Sequence, residues 1–429
     1  MIVVLGYGRE TRAWLDRRPA ADPDEVLVLD ETPTSLEGAG RVRLAVVDLD
    51  DVATVRAAVG DSTVTSVVRS PGVSPYRPGP AWLVSLAPTA TPTGLWLAEH
   101  APADLVALTG TKGKSTATAM AAHLLRAAGR RVVLAGNIGV PLTTVDPDAP
   151  RDDLVVELSS YQLADLTLTT PAVAAAVTTL FVDHVPWHGT VDRYHADKLR
   201  LLDQAAWRVV GPQVAALTLA GGRFDAVAGT ATPEVTSALA QAGMFGAHEG
   251  QAAMLALALV ARRLGTDALD LVASLATFEP LPHRLRPVAT VRSRTFVDDS
   301  ISTVPESTLA ALATWRSRGP VTLILGGEDR GQDLDGLVAA LADSDVRAAL
   351  VPPLGDRIAA AVRAGAPAAE DRVAAVADLA EAVMWADRVT PAGGAVLLSP
   401  AAPSFGAFRD FVHRGETFAA LVADLEVGP

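Results

Sequence analysis

The sequence contains no cysteine, which excludes disulfide bridges, thiolate metal sites and a cysteine nucleophile. This absence suits a reducing compartment, and we expect a cytoplasmic protein. No apolar run approaches the roughly 20 residues of a membrane-spanning helix, and the chain begins as a strand instead of an export signal, so no membrane partner is expected. The net charge of −13 argues against general nucleic-acid binding.

Lysine and asparagine are nearly absent as well. Among 36 basic residues the only lysines are Lys112, Lys114 and Lys198, and Asn137 is the only asparagine. Because arginine supplies almost every surface cation, a position that keeps lysine is expected to need an ammonium or a free amine; guanidinium is larger, planar and cannot be deprotonated. Two of the lysines share one loop, so the third becomes a candidate functional residue.

The stretch DLVALTGTKGKSTAT, from residue 104 to 118, has the pattern of a phosphate-binding loop. A short apolar strand (Leu105–Leu108) leads into a glycine loop (Thr109–Lys114) and then a helix that begins at Ser115. Loop N–H groups and the helix dipole face an anion in this geometry, and Lys114 adds a charge. The hydroxyls of Ser115 and Thr116 suit Mg²⁺. The loop lacks the first glycine of the Walker A pattern.

A chain of 429 residues is expected to form two or three domains. Short apolar strands alternate with helical patterns throughout, which predicts an α/β protein with mostly parallel sheets and ligand sites at the carboxyl ends of the strands. We predict Rossmann-like domains at 1–90 and 284–429 and a central P-loop ATPase domain at 104–280. A linker at 88–103 and a proline-rich hinge at 279–287 are expected to join them.

The first domain starts like half of a dinucleotide-binding unit. Ile2–Leu5 runs into a Gly-Tyr-Gly turn, and a second strand ends at Asp30. The third glycine of the nicotinamide fingerprint is missing, which argues against a dehydrogenase. A pocket for a nucleotide or UDP-sugar and a merely structural turn both stay open. The turn Ser70–Pro75 has a backbone suited to close approach by a ligand.

Ionisable side chains end two further strands of the central region. Glu157 ends one apolar strand, Asp183 and His184 follow another, and Lys198 lies on a predicted helix beyond them. The carboxyl ends of parallel strands meet at one edge of a sheet, so Lys114, Glu157 and His184 are expected to lie together. Nucleoside triphosphatases hold Mg²⁺ with a carboxylate placed in this way.

These motifs, in this order, resemble those of the Mur ligases, and among them the glutamate-adding MurD type. The matching segments are Thr109–Thr116, Gly136–Gly139, Glu157–Gln162, Asp183-His184, Lys198, Leu281–Arg284, Asp298–Pro305 and Leu398–Phe411. The resemblance implies three domains: one for a UDP-sugar, a central ATPase, and one for the incoming amino acid. It implies a monomeric, ATP-dependent ligase that joins UDP-N-acetylmuramoyl-L-alanine and glutamate through an acyl phosphate, in peptidoglycan synthesis for cell shape and division.

The resemblance also implies roles for individual residues. The catalytic residues would be Lys114, Glu157, His184 and Lys198. ATP would be bound by Gly110, Thr111, Lys112, Gly113, Lys114, Ser115, Thr116, Asn137, His283, Arg284 and Asp299. Two Mg²⁺ ions would be held by Ser115, Thr116, Glu157, His184 and Lys198, the lysine as a carbamate. A lysine amine that reacts with CO₂ becomes a carboxylate analogue, which arginine cannot form. Glutamate would be held by Thr303, Arg330, Ser404 and Phe411.

The chain departs from the family pattern in four places. Lys112 replaces an asparagine of the phosphate loop, and His248–Ala252 replaces an HNxxN pattern. Ile301 and Arg330 replace two lysines near the amino-acid pocket. Together with the segment Ser399–Phe408, these changes resemble the variant of the family that adds L-glutamate. The alternatives are the D-glutamate-adding enzyme, a ligase recruited to another peptide pathway, a folylpolyglutamate-synthase-like ligase, and a non-catalytic binding protein of the same fold.

Overall fold

The structure is a computed structural model that describes residues 1–19, 24–32, 42–138, 140–217, 221–343 and 345–427. Gly139, in the GNIG segment, lies outside the described residues. The chain divides into two compact units. The first comprises Met1–Ala238 and His248–Phe278, and the second comprises Leu239–Ala247 and Glu279–Pro429.

The first unit begins with a parallel sheet whose strand order among the described residues is β3-β2-β1-β4-β5. Its strands are β1 (Ile2–Leu5), β2 (Val26–Asp30), β3 (Val42–Val46), β4 (Ser66–Arg69) and β5 (Thr89–Ala90). Its helices are α1 (Arg9–Asp16), α2 (Val52–Val59), α3 (Pro78–Leu86) and α4 (Pro92–His100). Since β1 lies between β2 and β4, chain connections diverge there, and this topology places the expected ligand crevice at the carboxyl ends of β1 and β4.

A second parallel sheet in the same unit has the order β11-β10-β9-β6-β8-β7. Its strands are β6 (Leu105–Thr109), β7 (Val132–Gly136), β8 (Asp153–Glu157), β9 (Ala174–Val177), β10 (Arg208–Val210) and β11 (Ala226–Val227). The helices of this region are α5 (Lys114–Ala127), α6 (Ser160–Leu163), α7 (Val185–His188), α8 (Val191–Leu199), α9 (Pro212–Ala215), α10 (Pro233–Gln241) and α11 (Ala247–Leu264). Strands β6, β8 and β9 are buried along their whole length, as expected of parallel strands covered on both faces.

The second unit contains a sheet of order β12-β13-β17-β14-β15-β16, parallel except for the β12–β13 hairpin. Its strands are β12 (Arg286–Val291), β13 (Arg294–Asp298), β14 (Val321–Gly326), β15 (Val346–Val351), β16 (Val373–Ala375) and β17 (Ala395–Leu398). Its helices are α12 (Pro305–Arg316), α13 (Asp335–Leu341), α14 (Leu354–Gly365), α15 (Leu379–Val389) and α16 (Phe411–Val427). The carboxyl ends of β13, β17 and β14 are adjacent.

The predicted α/β class with mostly parallel sheets is confirmed, but the prediction for one segment is wrong. Residues 88–103, predicted as a linker, contain β5 and α4. Strand β5 pairs with β4, and the Thr91 side chain caps α4 by accepting a hydrogen bond from the Gly94 N–H. Trp96 and Leu97 are buried in the core of the unit. The proline and threonines that indicate a linker therefore serve as the start signal of a helix.

Within the described ranges, no helix is both long enough and apolar enough to cross a lipid bilayer.

Phe418 of α16 is fully buried beneath the sheet of the second unit, where its ring lies 6.3 Å from that of Phe296. We expect Phe418→Ala to lower the free energy of unfolding by about 3–5 kcal/mol, because it removes buried apolar surface and leaves a cavity. Urea denaturation followed by circular dichroism measures the loss. Met384→Ala on α15, where the side chain is 49% exposed, should cost less than about 0.5 kcal/mol. Equal losses would contradict this description of the core.

Candidate active site

The loop between β6 and α5 is held by the end of β9. The Thr111 N–H donates to the Thr179 carbonyl at 2.7 Å, and the Thr178 hydroxyl donates to the Lys112 carbonyl at 2.6 Å. Gly110 has a φ of 152°, and a Cβ there would lie 1.9 Å from the Thr178 hydroxyl. Only glycine fits this position. The loop backbone is thus fixed before any ligand binds.

Helix α5 begins at Lys114, directly after Gly113 with its left-handed φ of 77°. The predicted start was one residue later. Ser115 is buried and Thr116 is half-buried in the first turn, where backbone N–H groups lack partners within the helix. This amino terminus is suited to bind an anion.

Lys198 on α8 is buried, with 2% of its surface exposed, and its Nζ donates to the Gly110 carbonyl at 2.8 Å. Burial lowers the pKa of this amine to about 7, and the positive charge of Lys114 acts in the same direction against the carboxylates of Asp183 and Glu157. Burial therefore shifts the Lys198 amine toward its unprotonated form. The rare lysine singled out by the sequence is in direct contact with the phosphate loop.

Glu157, the last residue of β8, is fully buried. Its Oε1 accepts a hydrogen bond from Asn137 Nδ2 at 2.6 Å, so the single asparagine of the chain orients this carboxylate. Its Oε2 is buried and makes no hydrogen bond to any part of the chain that the structure describes. A buried carboxylate oxygen without a partner is costly unless something binds to it.

His184 immediately precedes α7 and has a left-handed φ of 51°. Its ring contacts the rings of Tyr161 and Tyr194. Its Nδ1 lies 2.8 Å from the Tyr161 hydroxyl. Burial lowers the pKa of His184, the charges of Lys198 and Lys114 lower it further, and the Asp183 carboxylate opposes them. These effects favour the neutral imidazole, which keeps one nitrogen lone pair.

The structure thus brings Lys114, Glu157, His184 and Lys198 to one edge of the second sheet, as the sequence predicts. Among the described residues there is no group of three or more histidine or acidic side chains that would hold a metal ion by itself. Mg²⁺ is usually bound by one or two carboxylates together with phosphate oxygens and water, so the unpartnered Oε2 of Glu157 fits such an ion.

A buried hydrogen-bond network beside this edge was not predicted. His188 is fully buried; its Nδ1 lies 2.7 Å from Asp197 Oδ2, and its Nε2 lies 3.0 Å from the Ser160 hydroxyl. The Tyr76 hydroxyl donates to Asp197 at 2.9 Å. The sequence offers only one signal for this network, which is that Asp197 immediately precedes Lys198.

The crevice of the first sheet is formed by two turns. A Cβ at Gly6 would lie 2.7 Å from Val73, and one at Gly8 would lie 2.6 Å from the Ser70 hydroxyl, so these turns touch through glycine. Asp30 at the end of β2 accepts a hydrogen bond from the Tyr7 N–H at 2.6 Å. The predicted glycine turn and the Ser70–Pro75 turn therefore contact each other, which was not evident from their separation in the chain.

In the second unit, the residues that end β13 are tied to the segment before β12. His283 Nδ1 lies 2.6 Å from Asp298 Oδ2. Asp299 is buried, accepts hydrogen bonds from the hydroxyls of Ser302 at 2.6 Å and Ser399 at 2.7 Å, and lies near the charge of Arg284. Burial raises the pKa of Asp299 to about 7 despite these hydrogen bonds.

The four predicted glutamate-binding residues occupy different environments within the second unit. Thr303, Arg330 and Ser404 follow the adjacent strands β13, β14 and β17, and Phe411 begins α16 with its ring 5.9 Å from that of His283. Arg330 is more than half exposed, and its Nε donates to Glu328 at 2.9 Å. The strand ends converge as expected, but the predicted cation already has a carboxylate partner.

Arg414, which sequence reasoning missed, joins the same strand ends. Its guanidinium is buried and donates to the hydroxyl and carbonyl of Ser300 and to the carbonyls of Ala402 and Gly326. Burial lowers the pKa of Arg414 to about 10. Its position on α16, far along the chain from β13, gives no local sequence signal for this role.

Comparison with protein families gives two matches. Residues 108–210 match the Mur ligase middle domain, and residues 283–402 match the Mur ligase glutamate ligase domain. The chain is 38% identical to the UDP-N-acetylmuramoyl-L-alanine–L-glutamate ligase of Salinispora tropica, over 99% of this chain and 97% of that protein. It is 37% identical to the protein of the same name from Xanthomonas axonopodis, over 98% of this chain and 94% of that protein.

Solved structures show the same fold at low sequence identity. The MurC structure from Thermotoga maritima matches with a TM-score of 0.57 and 16% identity, over 99% of both chains. The MurF ligase from T. maritima in complex with ADP matches with a TM-score of 0.57 and 15% identity, over 99% of this chain and 95% of that one. The folylpolyglutamate synthase of Mycobacterium tuberculosis, complexed with ADP, matches with a TM-score of 0.56 and 19% identity, over 75% of this chain and 91% of that one.

The raised pKa of Asp299 predicts a pH dependence of stability. The ordinary pKa of an aspartate is 3.8, and that of Asp299 in the folded protein is about 7. Between these two pH values the unfolded chain has released a proton that the folded chain keeps, so this group lowers the stability as the pH rises. The free energy of unfolding should therefore fall between pH 4.5 and pH 7.5. In Asp299→Asn this fall should be smaller by about 2 kcal/mol. Urea denaturation at both values measures it. The exposed Asp335→Asn should keep the slope of the unchanged protein; an Asp299 variant with that same slope would refute the prediction.

Proposed function

Because the chain belongs to the Mur ligase family, we propose that it joins L-glutamate to UDP-N-acetylmuramoyl-L-alanine with consumption of ATP, in peptidoglycan precursor synthesis. Its relatives carry this activity in their names at 36–38% identity over nearly their full length. The observation that carries the proposal is the contact of the buried Lys198 amine with the phosphate loop, beside the unpartnered Glu157 oxygen. A binding protein without catalysis has no need for two buried ionisable groups at this edge.

We assign the substrates to the three sheets by their strand ends. The UDP-bearing acceptor is assigned to residues 1–90, where the glycine turn and the Ser70 turn meet. ATP is assigned to residues 104–280 and glutamate to residues 284–429. Within residues 104–280 the proposed nucleotide-binding set is Gly110, Thr111, Lys112, Gly113, Lys114, Ser115, Thr116 and Asn137. For the second unit, His283, Arg284 and Asp299 are proposed as nucleotide contacts. The glutamate-binding set is Thr303, Arg330, Ser404 and Phe411.

We propose that two magnesium ions bind at the edge of the second sheet. Glu157, His184 and Lys198 would hold them together with the hydroxyls of Ser115 and Thr116. The metals would neutralise charge on the phosphates as the γ-phosphoryl group is transferred. The pKa of about 7 leaves the Lys198 amine free to attack CO₂. The amine loses a proton as the N–C bond forms, and the resulting carbamate supplies a second carboxylate-like ligand beside Glu157.

The reaction needs positioning more than covalent help from the protein. The carboxylate of the acceptor attacks the γ-phosphate to give an acyl phosphate, and the glutamate amine then displaces phosphate. Lys114 and the loop N–H groups stabilise charge that develops on the phosphate oxygens. Asn137 fixes the Glu157 carboxylate, and Tyr161 fixes the His184 ring, so these groups need little rearrangement during the reaction.

The first test is phosphate release with ATP, Mg²⁺ and UDP-N-acetylmuramoyl-L-alanine, with L-glutamate and D-glutamate in parallel. We expect at least tenfold higher kcat/KM for L-glutamate, because Ile301 and Arg330 replace both lysines of the D-glutamate pattern. Omission of each substrate in turn is the control. Preference for D-glutamate would refute the stereochemical assignment, and no release with either would refute the ligase.

Lys198→Arg should fold but lose activity by at least 10²-fold, because guanidinium cannot form a carbamate. Lys198→Ala should regain part of its activity when acetate or formate is added. In the unchanged protein, ¹³CO₂ should give a carbamate signal in the NMR spectrum that is missing from both variants. An active arginine variant, or a signal that persists in Lys198→Ala, would contradict the carbamate.

A further inference from the structure

Arg69, at the end of β4, is fully buried, and oxygen atoms from two parts of the first unit surround its guanidinium. On one side, Nε donates to Asp165 Oδ2 at 2.6 Å and Nη2 donates to the Tyr161 carbonyl at 2.7 Å. On the other side, Nη1 donates to the Val73 carbonyl at 2.6 Å and to the Ser70 carbonyl at 3.2 Å. One side chain thus connects two loops that lie about 90 residues apart in sequence.

The first of these loops is a wall of the crevice in the first sheet. Residues 70–73 contact Gly6 and Gly8 so closely that a Cβ at either glycine would lie within 2.7 Å of Val73 or Ser70. Arg69 holds the backbone of this wall from behind, since its acceptors there are main-chain carbonyls. A shift of the guanidinium would move the wall itself.

The second loop leads to the edge where phosphoryl transfer is assigned. The Tyr161 ring stacks on Trp187, with ring centroids 4.5 Å apart, and its hydroxyl lies 2.8 Å from His184 Nδ1. Trp187 Nε1 in turn donates to the Gly72 carbonyl at 3.1 Å, and the Arg69 guanidinium lies 5.2 Å above the Trp187 ring. The crevice wall and the His184 imidazole are therefore fixed to the same guanidinium.

We propose that Arg69 is a positioning residue that holds the acceptor-binding turn in register with His184, so that an acceptor seated against residues 70–73 presents its carboxylate to the transferring phosphoryl group. This inference rests on the proposed function. A planar group with five donors can serve both loops at once, which a lysine ammonium cannot. A buried ion pair alone gives little net stability over apolar packing, so the pair with Asp165 does not account for an arginine at this position.

The test compares Arg69→Lys with Asp165→Asn. Arg69→Lys keeps the positive charge but loses the planar guanidinium that reaches both loops. Asp165→Asn weakens the ion pair but keeps the hydrogen bonds from Arg69 to the main-chain carbonyls. We expect Arg69→Lys to raise the KM for UDP-N-acetylmuramoyl-L-alanine about tenfold and to leave the KM for ATP within about twofold. Asp165→Asn should lower the urea midpoint but keep the acceptor KM within about twofold.

If the acceptor KM rises equally in Arg69→Lys and Asp165→Asn, Arg69 has only a structural role and the proposal is overturned. An unchanged acceptor KM in Arg69→Lys would overturn it as well. If Arg69→Lys does not fold, Ser74→Ala tests the coupling between the 70–75 turn and the elements beside His184 in a second way. It removes the hydrogen bond from the Ser74 hydroxyl to the Trp187 carbonyl of α7 at 2.5 Å, and the one that this hydroxyl accepts from the Tyr76 N–H at 3.3 Å. We expect an acceptor KM about threefold higher, and no change would overturn the proposal.

Failure of the proposed function is distinguishable from failure of this inference. If the unchanged protein releases no phosphate with this acceptor, the ligase assignment fails. Calorimetric titration of UDP-N-acetylmuramoyl-L-alanine without ATP then still reports on the crevice: Arg69→Lys should bind it about tenfold more weakly than the unchanged protein. If the unchanged protein is active and both variants bind and react normally, only the role of Arg69 is refuted.

Discussion

The hydrogen bond from the buried Lys198 amine to the Gly110 carbonyl is the interaction on which the site of the first unit depends. It ties α8 to the loop that follows β6, at Gly110, where a Cβ would clash with the Thr178 hydroxyl. Burial of the amine next to the charge of Lys114 lowers its pKa to about 7, so the buried position of the lysine also favours its reactive, unprotonated form.

Much of this edge follows from local sequence. The apolar strands that end at Thr109 and Glu157, the glycines of the loop and the scarcity of lysine all indicate where a phosphate would bind. Parallel topology then requires these strand ends to meet, because right-handed βαβ connections place successive carboxyl ends on one side of a sheet. The phosphate loop, Glu157 and His184 were therefore predictable as a group from the sequence, whereas Lys198 on α8 was indicated only by the scarcity of lysine and by the family resemblance.

The remainder depends on contacts between segments far apart in the chain. Arg69 resembles any other arginine in the sequence until β4 is placed beside α6, and Arg414 acquires its role only when α16 reaches the ends of β13 and β14. The pairing of Arg330 with Glu328 is local but follows from the conformation of an exposed loop, which residue type does not determine. The segment at 88–103 was misjudged because proline and threonine begin helices as well as interrupt them.

The near absence of lysine has a practical consequence. Reagents that acylate amines find only three side chains besides the amino terminus, and Lys198 is shielded by burial while Lys112 is exposed in the phosphate loop. A fluorescent ester or crosslinker can therefore be directed to the nucleotide end of the first unit without any cysteine being introduced. Nucleotide bound in that loop would protect Lys112 and Lys114, so labelling with and without nucleotide reports on whether the loop is occupied.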